Sequence, residues 1–198
     1  MYENDTSNRQ TTSYRYPAGI DLLLLQLPER ALLAASETPV IEALPRIIIR
    51  QMLSLKASAT IIERAEQKAK ALGVGRIAYL PAEELTGCGV SRSKASAINS
   101  VAHCHEAQPE RIEAWSRMSS TDLIKDVSQL KGIGPWTASI LAMFHFAHED
   151  LFPIQDSSLR KAMSLLKDQD ILIIPERAQP YRSYLACYLW DMLDQARL

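Results

Sequence analysis

The chain has 198 residues, of which 47 % are apolar, with 22 basic against 23 acidic side chains and a formal net charge of −1. That length and composition suit a globular unit with a real core, and they exclude a strongly basic whole-protein surface of the kind that announces nucleic-acid binding. Apolar runs such as 22–25 and 47–49 are far too short to cross a bilayer. Charge acts locally, however: residues 86–104 hold Arg92 and Lys94 and no acid, so a modest basic patch is compatible with the balanced total. The three cysteines, Cys88, Cys104 and Cys187, form no CxxC pair. They read as free thiols of a reducing compartment rather than ligands of zinc or a cluster.

Taken in chain order, the first sixteen residues are polar, lack an apolar centre and read as a disordered tail, not a signal or anchor. Residues 22–35 are rich in helix formers, interrupted by Pro28. Pro39 and Pro45 bracket the next entry, and residues 46–72 predict one long helix ended by Gly73 and Gly75. Pro81-Ala-Glu-Glu-Leu predicts a first helical turn with acids at its positive end. Ser91 predicts the cap of a helix reaching Cys104. Ser119-Ser-Thr-Asp opens a helix carrying Leu123, Ile124 and Val127. After Gly134-Pro135 an apolar helix runs to Phe146, followed by helices over 157–166 and 181–196. Ile171-Leu-Ile-Ile is the one strand-like run, and it is equally an extended loop. The class is all-α. The flanking helices suggest two helical lobes with a cleft: residues 39–148 as a central six-helix lobe, and 17–38 with 149–198 as the second.

The informative motif is LKGIGPWTA at 130–138, with helical patterns on both sides. Two glycines let the chain turn sharply and come close to a ligand, and Pro135 starts a helix where its missing N–H costs nothing. The free N–H groups of such a start form an anion site that suits a DNA phosphate, whereas the plainer reading is a helix–helix turn. Asp156, before Ser-Ser-Leu-Arg, is a good N-cap on sequence alone.

LKGIGPWTA followed by DLFPIQDSSLRKAM resembles the hairpin and active-site segment of the helix-hairpin-helix–Gly/Pro–Asp superfamily of DNA glycosylases, most closely its 3-methyladenine DNA glycosylase II (AlkA-type) branch. RQMLSLKA at 50–57 is similar to that branch's GQQxS signature. GCGVSRSKA at 87–95 resembles its GLSxxKA turn and helix, and YRSYLA at 181–186 with Trp190 its C-terminal WRSY element. The resemblance covers about residues 20 to 195, in order, and implies the helix-hairpin-helix glycosylase fold.

It also implies roles. Asp156, twenty residues after Trp136, takes the place of the catalytic carboxylate, where a fixed negative charge stabilises the oxocarbenium-like sugar and helps water attack. The family often carries two adjacent acids there; this chain has Gln155-Asp156. Bifunctional members place a lysine where Trp136 stands, so hydrolysis without strand cleavage is expected. Trp136, Trp190 and Ile140 fall on base-pocket positions, where an indole face would attract a cationic alkylated purine. Ile140, and Asp191 after Trp190, replace aromatic residues of that branch, which predicts a less aromatic pocket. Met52 maps onto the wedge that fills the gap left by the extruded base, with Gln51 beside it to reach the opposite strand. The plain alternative for Met52 and both tryptophans is core packing. Gly132, Gly134, Trp136 and Thr137 would offer backbone N–H groups to phosphate, with Arg92 and Lys94 nearby. The carbonyls of Ser128, Leu130 and Ile133 would hold Na+ or K+; no other cofactor is implied.

The expected activity is excision of alkylated purines from double-stranded DNA by a monomer working where chromosomal DNA is kept, with no membrane involved. The alternatives are a hairpin module that only binds DNA, or a glycosylase for a different lesion. His103, Cys104 and His105 diverge around a helix and do not suggest a metal site. His145, His148 and Asp150 suggest surface or structural roles, and Tyr184 and Tyr188 packing.

Overall fold

The computed structural model describes residues 31–195. The expected 1–16 tail, and residues 22–30 of the expected first helix, lie outside them. Within them are nine α-helices and no strand: α1 (Val40–Arg50), α2 (Leu55–Ala71), α3 (Ala82–Gly87), α4 (Arg92–Ala107), α5 (Pro109–Ala114), α6 (Ser120–Val127), α7 (Pro135–Phe144), α8 (Ser157–Lys167) and α9 (Arg182–Asp194). Single 3-10 turns occupy Ile77–Tyr79, Trp115–Arg117 and Pro175–Ala178. Among the described residues no helix is long and apolar enough to cross a membrane.

Helix starts follow local chemistry. Ser54, Ser91, Ser119 and Asp156 sit in extended conformation and accept the N–H of the third residue onward, at Ala57, Lys94, Asp122 and Leu159. Each satisfies a donor that the helix itself cannot. Two expectations need correction. The segment 46–72 is two helices, broken at residues 51–54, because Ser54 caps a new start and Met52 adopts the left-handed region at φ 56°. Residues 31–35 are irregular, and the first helix among the described residues starts at Val40, with Pro45 inside α1. The short α5, with Pro109 in its first turn, went unread. Residues 171–174 form extended loop, the second of the two readings.

The buried apolar side chains fall into two clusters. One spans Ile41 to Ala142 and centres on α1, α4, α6 and α7 around fully buried Trp115, Leu44, Leu123 and Leu141. The other runs from Met143 to Met192 and packs α8 against α9 through Leu159, Leu166, Cys187 and Leu189. Leu151 touches both clusters. The connection between α7 and α8 is tied to α9 by the Arg182–Asp150 ion pair at 2.6 Å and by the Ser183 hydroxyl, which donates to the His148 carbonyl at 2.7 Å. Helices α6 and α7, joined by residues 128–134, form the helical hairpin and pack closely.

Candidate functional site

Asp156 begins α8 after a tight turn in which its N–H donates to the Pro153 carbonyl at 2.8 Å. Its half-buried carboxylate accepts three hydrogen bonds from three parts of the chain. Oδ1 takes the Leu159 N–H at 2.8 Å and the Trp190 indole N–H at 3.0 Å; Oδ2 takes the Trp136 indole N–H at 2.7 Å. Cap and charged side chain are therefore the same group, and two tryptophans from α7 and α9 hold it in one orientation. Oδ2, with one donor, retains a lone pair for a further ligand.

The carboxylate lies in the wall of a cavity of about 620 Å³. Three pieces of chain build it: the end of α1 and its turn (Arg50, Gln51, Met52, Leu53), the hairpin (Gly132, Gly134, Trp136, Thr137) and the start of α8 (Gln155, Asp156, Ser157, Ser158). Trp136 is in this wall. Trp190 and Ile140, expected to line the same pocket, are half-buried outside it. Trp190 instead spends its N–H on Asp156 and lies against Phe144, ring centroids 6.1 Å apart.

The two hairpin glycines do different work. Gly132 has φ 81°, and a Cβ there would come within 2.9 Å of the Ala97 Cβ on α4. The Ser100 hydroxyl shares its proton between the Ala97 carbonyl of its own helix at 2.7 Å and the neighbouring Lys131 carbonyl at 3.0 Å, which brings the turn against α4. Gly134 has φ −95° and nothing within 4 Å of where its Cβ would be. Its bare backbone faces open space at the start of α7, a helix with no side-chain cap, where the N–H groups of Trp136 and Thr137 have no intrahelical acceptor. Thr137 is otherwise buried, and its hydroxyl accepts the Gln51 amide at 2.6 Å. Gln51 thus bonds within the protein, to another residue of the cavity wall.

Met52 is 97 % exposed at the crest of the turn between α1 and α2, so it is not a core residue. Lys94, expected among the DNA contacts, faces inward. Its ammonium donates to the Ile49 carbonyl at 2.9 Å and the Gln51 carbonyl at 2.6 Å, and burial pushes it below the ordinary lysine value. Arg92 is exposed in the first turn of α4.

In the hairpin loop, Leu130 O accepts the Ile133 N–H at 3.1 Å, while among the described residues no backbone N–H donates to the Ser128 or Ile133 carbonyl. The Ser128 hydroxyl is buried without a partner. These carbonyls and the orphaned hydroxyl are hard oxygen donors, the kind of ligand that Na+ or K+ takes. No cluster of three metal-ligating side chains occurs among the described residues. His105 bonds Tyr79 at 2.9 Å through Nδ1, and burial lowers the basicity of His145 and His148. Sequence reasoning missed Arg50, Leu53, Gln155, Ser157 and Ser158 in the cavity wall; all are immediate neighbours of motif residues, which was the available signal. Phe144 was missed as well.

A family model described as "HhH-GPD superfamily base excision DNA repair protein" matches residues 46–170. DNA-3-methyladenine glycosylase 1 of Schizosaccharomyces pombe is 29 % identical over 161 residues, covering 75 % of this chain and 70 % of that protein. A putative DNA-3-methyladenine glycosylase of Bacillus subtilis is 27 % identical over 164 residues; the match covers 75 % of this chain but 57 % of the relative. The solved structure of a 3-methyladenine DNA glycosylase of Schizosaccharomyces pombe in complex with abasic DNA superposes with a TM-score of 0.75 at 26 % identity, over 90 % of this chain and 92 % of that one.

Proposed function

Since the chain belongs to the HhH-GPD superfamily of base excision DNA repair proteins, we propose that it hydrolyses the N-glycosidic bond of alkylated purines in double-stranded DNA, leaving an abasic site. The observation that carries this reading is the position of Asp156. Its carboxylate is fixed by three donors in the wall of a cavity that the exposed Met52 and the open glycine turn also border.

In this account the free N–H groups at Gly134, Trp136 and Thr137 take a DNA phosphate and set the register of the duplex without reading its sequence. Met52 enters the stack and the damaged nucleotide swings into the cavity. As the glycosidic bond lengthens, positive charge grows on the sugar, and the preorganised Asp156 carboxylate stabilises it without having to reorient. The open lone pair on Oδ2 accepts a proton from the attacking water. A cationic base such as 3-methyladenine leaves without prior protonation, so a second acid is not required; its positive ring is favoured by the face of Trp136. With no lysine at position 136, no Schiff base forms and the strand stays whole. A Na+ or K+ held by the carbonyls of Ser128, Leu130 and Ile133 would add positive charge where the phosphate sits. The protein works wherever chromosomal DNA is kept, in the nucleoid of a bacterium or the nucleus of a eukaryote.

Incubation with duplexes carrying single 3-methyladenine, 7-methylguanine, hypoxanthine or normal purines tests the reading. Release of free alkylated base, with strand breaks only after alkali, is expected. Binding without release of any base would leave a hairpin module that only holds DNA, and release confined to hypoxanthine would move the substrate to neutral lesions.

A further inference from the structure

The end of α1 is only weakly stabilised by its own backbone. The last carbonyls of a helix lack partners, and Gln51, at φ −53° and ψ 131°, turns the chain out of the helix without a left-handed glycine cap. The next residue, Met52, sits at φ 56°, a strained region for a residue with a Cβ. Because Met52 is 97 % exposed, its side chain contributes no packing that would hold this geometry. Within the turn only two long backbone bonds form, from the Gln51 N–H to the Ile48 carbonyl at 3.4 Å and from the Leu53 N–H to the Arg50 carbonyl at 3.3 Å, and shorter ones come from outside. Lys94 reaches from α4 to the Ile49 and Gln51 carbonyls at 2.9 and 2.6 Å, and the Gln51 amide reaches Thr137 at 2.6 Å. A cation at a helix C-terminus is also favoured by the helix dipole. The same face region of α4 receives the hairpin: Ala97 meets Gly132, and Ser100 holds the Lys131 carbonyl.

We infer that Lys94 is a positioning residue, which fixes the strained Met52 turn against α4 so that the wedge and the glycine hairpin stand at a set spacing for one damaged nucleotide. This rests on the excision reading above. Lys94 contacts no DNA in this role; it acts through Met52.

Amine acylation of the native protein, read residue by residue with and without undamaged duplex, tests the assignment directly. Lys94 should label far more slowly than exposed Lys131 in the free protein, and DNA should not change its rate. In Lys94→Met, unstacking reported by a fluorescent base analogue beside the lesion, and excision from paired duplex, should fall by about ten- to a hundredfold. The salt dependence of binding to undamaged duplex should stay as in the wild type. In a Met52→Ala background the same substitution should add little, since interacting sites are not additive. Fast labelling of free Lys94 followed by protection on DNA, a salt slope reduced by about one, or full additivity with Met52→Ala would each overturn the assignment. If the wild type releases no base at all, the excision reading fails, while the labelling pattern and the unstacking signal still decide the role of Lys94.

Discussion

Replacing Asp156 by Asn separates the two functions that one carboxylate combines. Asn caps helices as well as Asp, so its carbonyl oxygen can keep the Leu159 N–H and the Trp190 indole, both of which now bond Oδ1. The amide nitrogen then takes the place of Oδ2, where it faces the Trp136 N–H at 2.7 Å, and two donors meet. One unpaired, partly buried donor costs about 1–3 kcal/mol, and a chain of this size loses about 2–4 °C of Tm per kcal/mol. Loss of the preorganised charge should slow base release by on the order of 10²–10³-fold or more. The two effects are separable by adding Trp136→Phe, which removes the opposing donor. The double variant should regain much of the lost Tm while remaining inactive. Calorimetry and single-turnover release of base from a methylated duplex give both numbers. If Asp156→Asn excises within about threefold of the wild type, a loss far below that scale, or if the double variant regains activity along with stability, then Asp156 serves only as a helix cap.

The glycines of the hairpin should respond oppositely. Gly132→Ala combines a φ of 81° with a 2.9 Å approach to Ala97, so it should lower Tm by several degrees and displace the turn. Gly134→Ala meets open space and should leave Tm within about 1 °C while weakening duplex binding, because a Cβ now stands where phosphate approaches. Arg50→Ala, removing an exposed guanidinium from the cavity wall, should weaken DNA binding and lower the slope of log affinity against log salt by about one. Asp150 is held below the ordinary carboxylate range by the hydrogen bond from Arg182, against opposing burial. Its contribution to stability is present above the unfolded carboxylate value and lost as pH falls through the lower folded one. Asp150→Asn should therefore flatten the acid side of the Tm-against-pH curve and leave the rest of its shape unaltered.

What could be read from the chain was the part written in local chemistry. Ser91, Ser119 and Asp156 announce helix starts because a short polar side chain satisfies an orphan N–H within three residues, and the structure uses each of them so. The hairpin was legible because glycine, proline and an apolar helix must follow one another closely to make it. The break at residues 51–54 was harder to read. Ala, Leu, Ile and Lys on both sides favour helix, Ser54 was the one local sign of a new start, and the Lys94 contacts to the turn come from 43 residues away. The same distance problem explains Lys94, read as a surface cation although its partners are backbone carbonyls that carry no signature in sequence. Trp190 was expected in the pocket wall for its ring face; what the structure shows is its N–H on Asp156, a contact 34 residues apart. Ile140 illustrates the converse: a position inferred from resemblance, found half-buried outside the cavity wall.

The claim on which the rest depends is that a fixed negative charge awaits a positive sugar in the cavity beneath Met52. Binding of two duplexes measures it directly: one carrying a cationic pyrrolidine in place of the deoxyribose, the other a neutral tetrahydrofuran of the same shape. The wild type should prefer the cation by about a hundredfold or more, as complementarity to a charged transition state requires, and Asp156→Asn should lose that preference. Equal affinity of the wild type for the two rings would contradict the account.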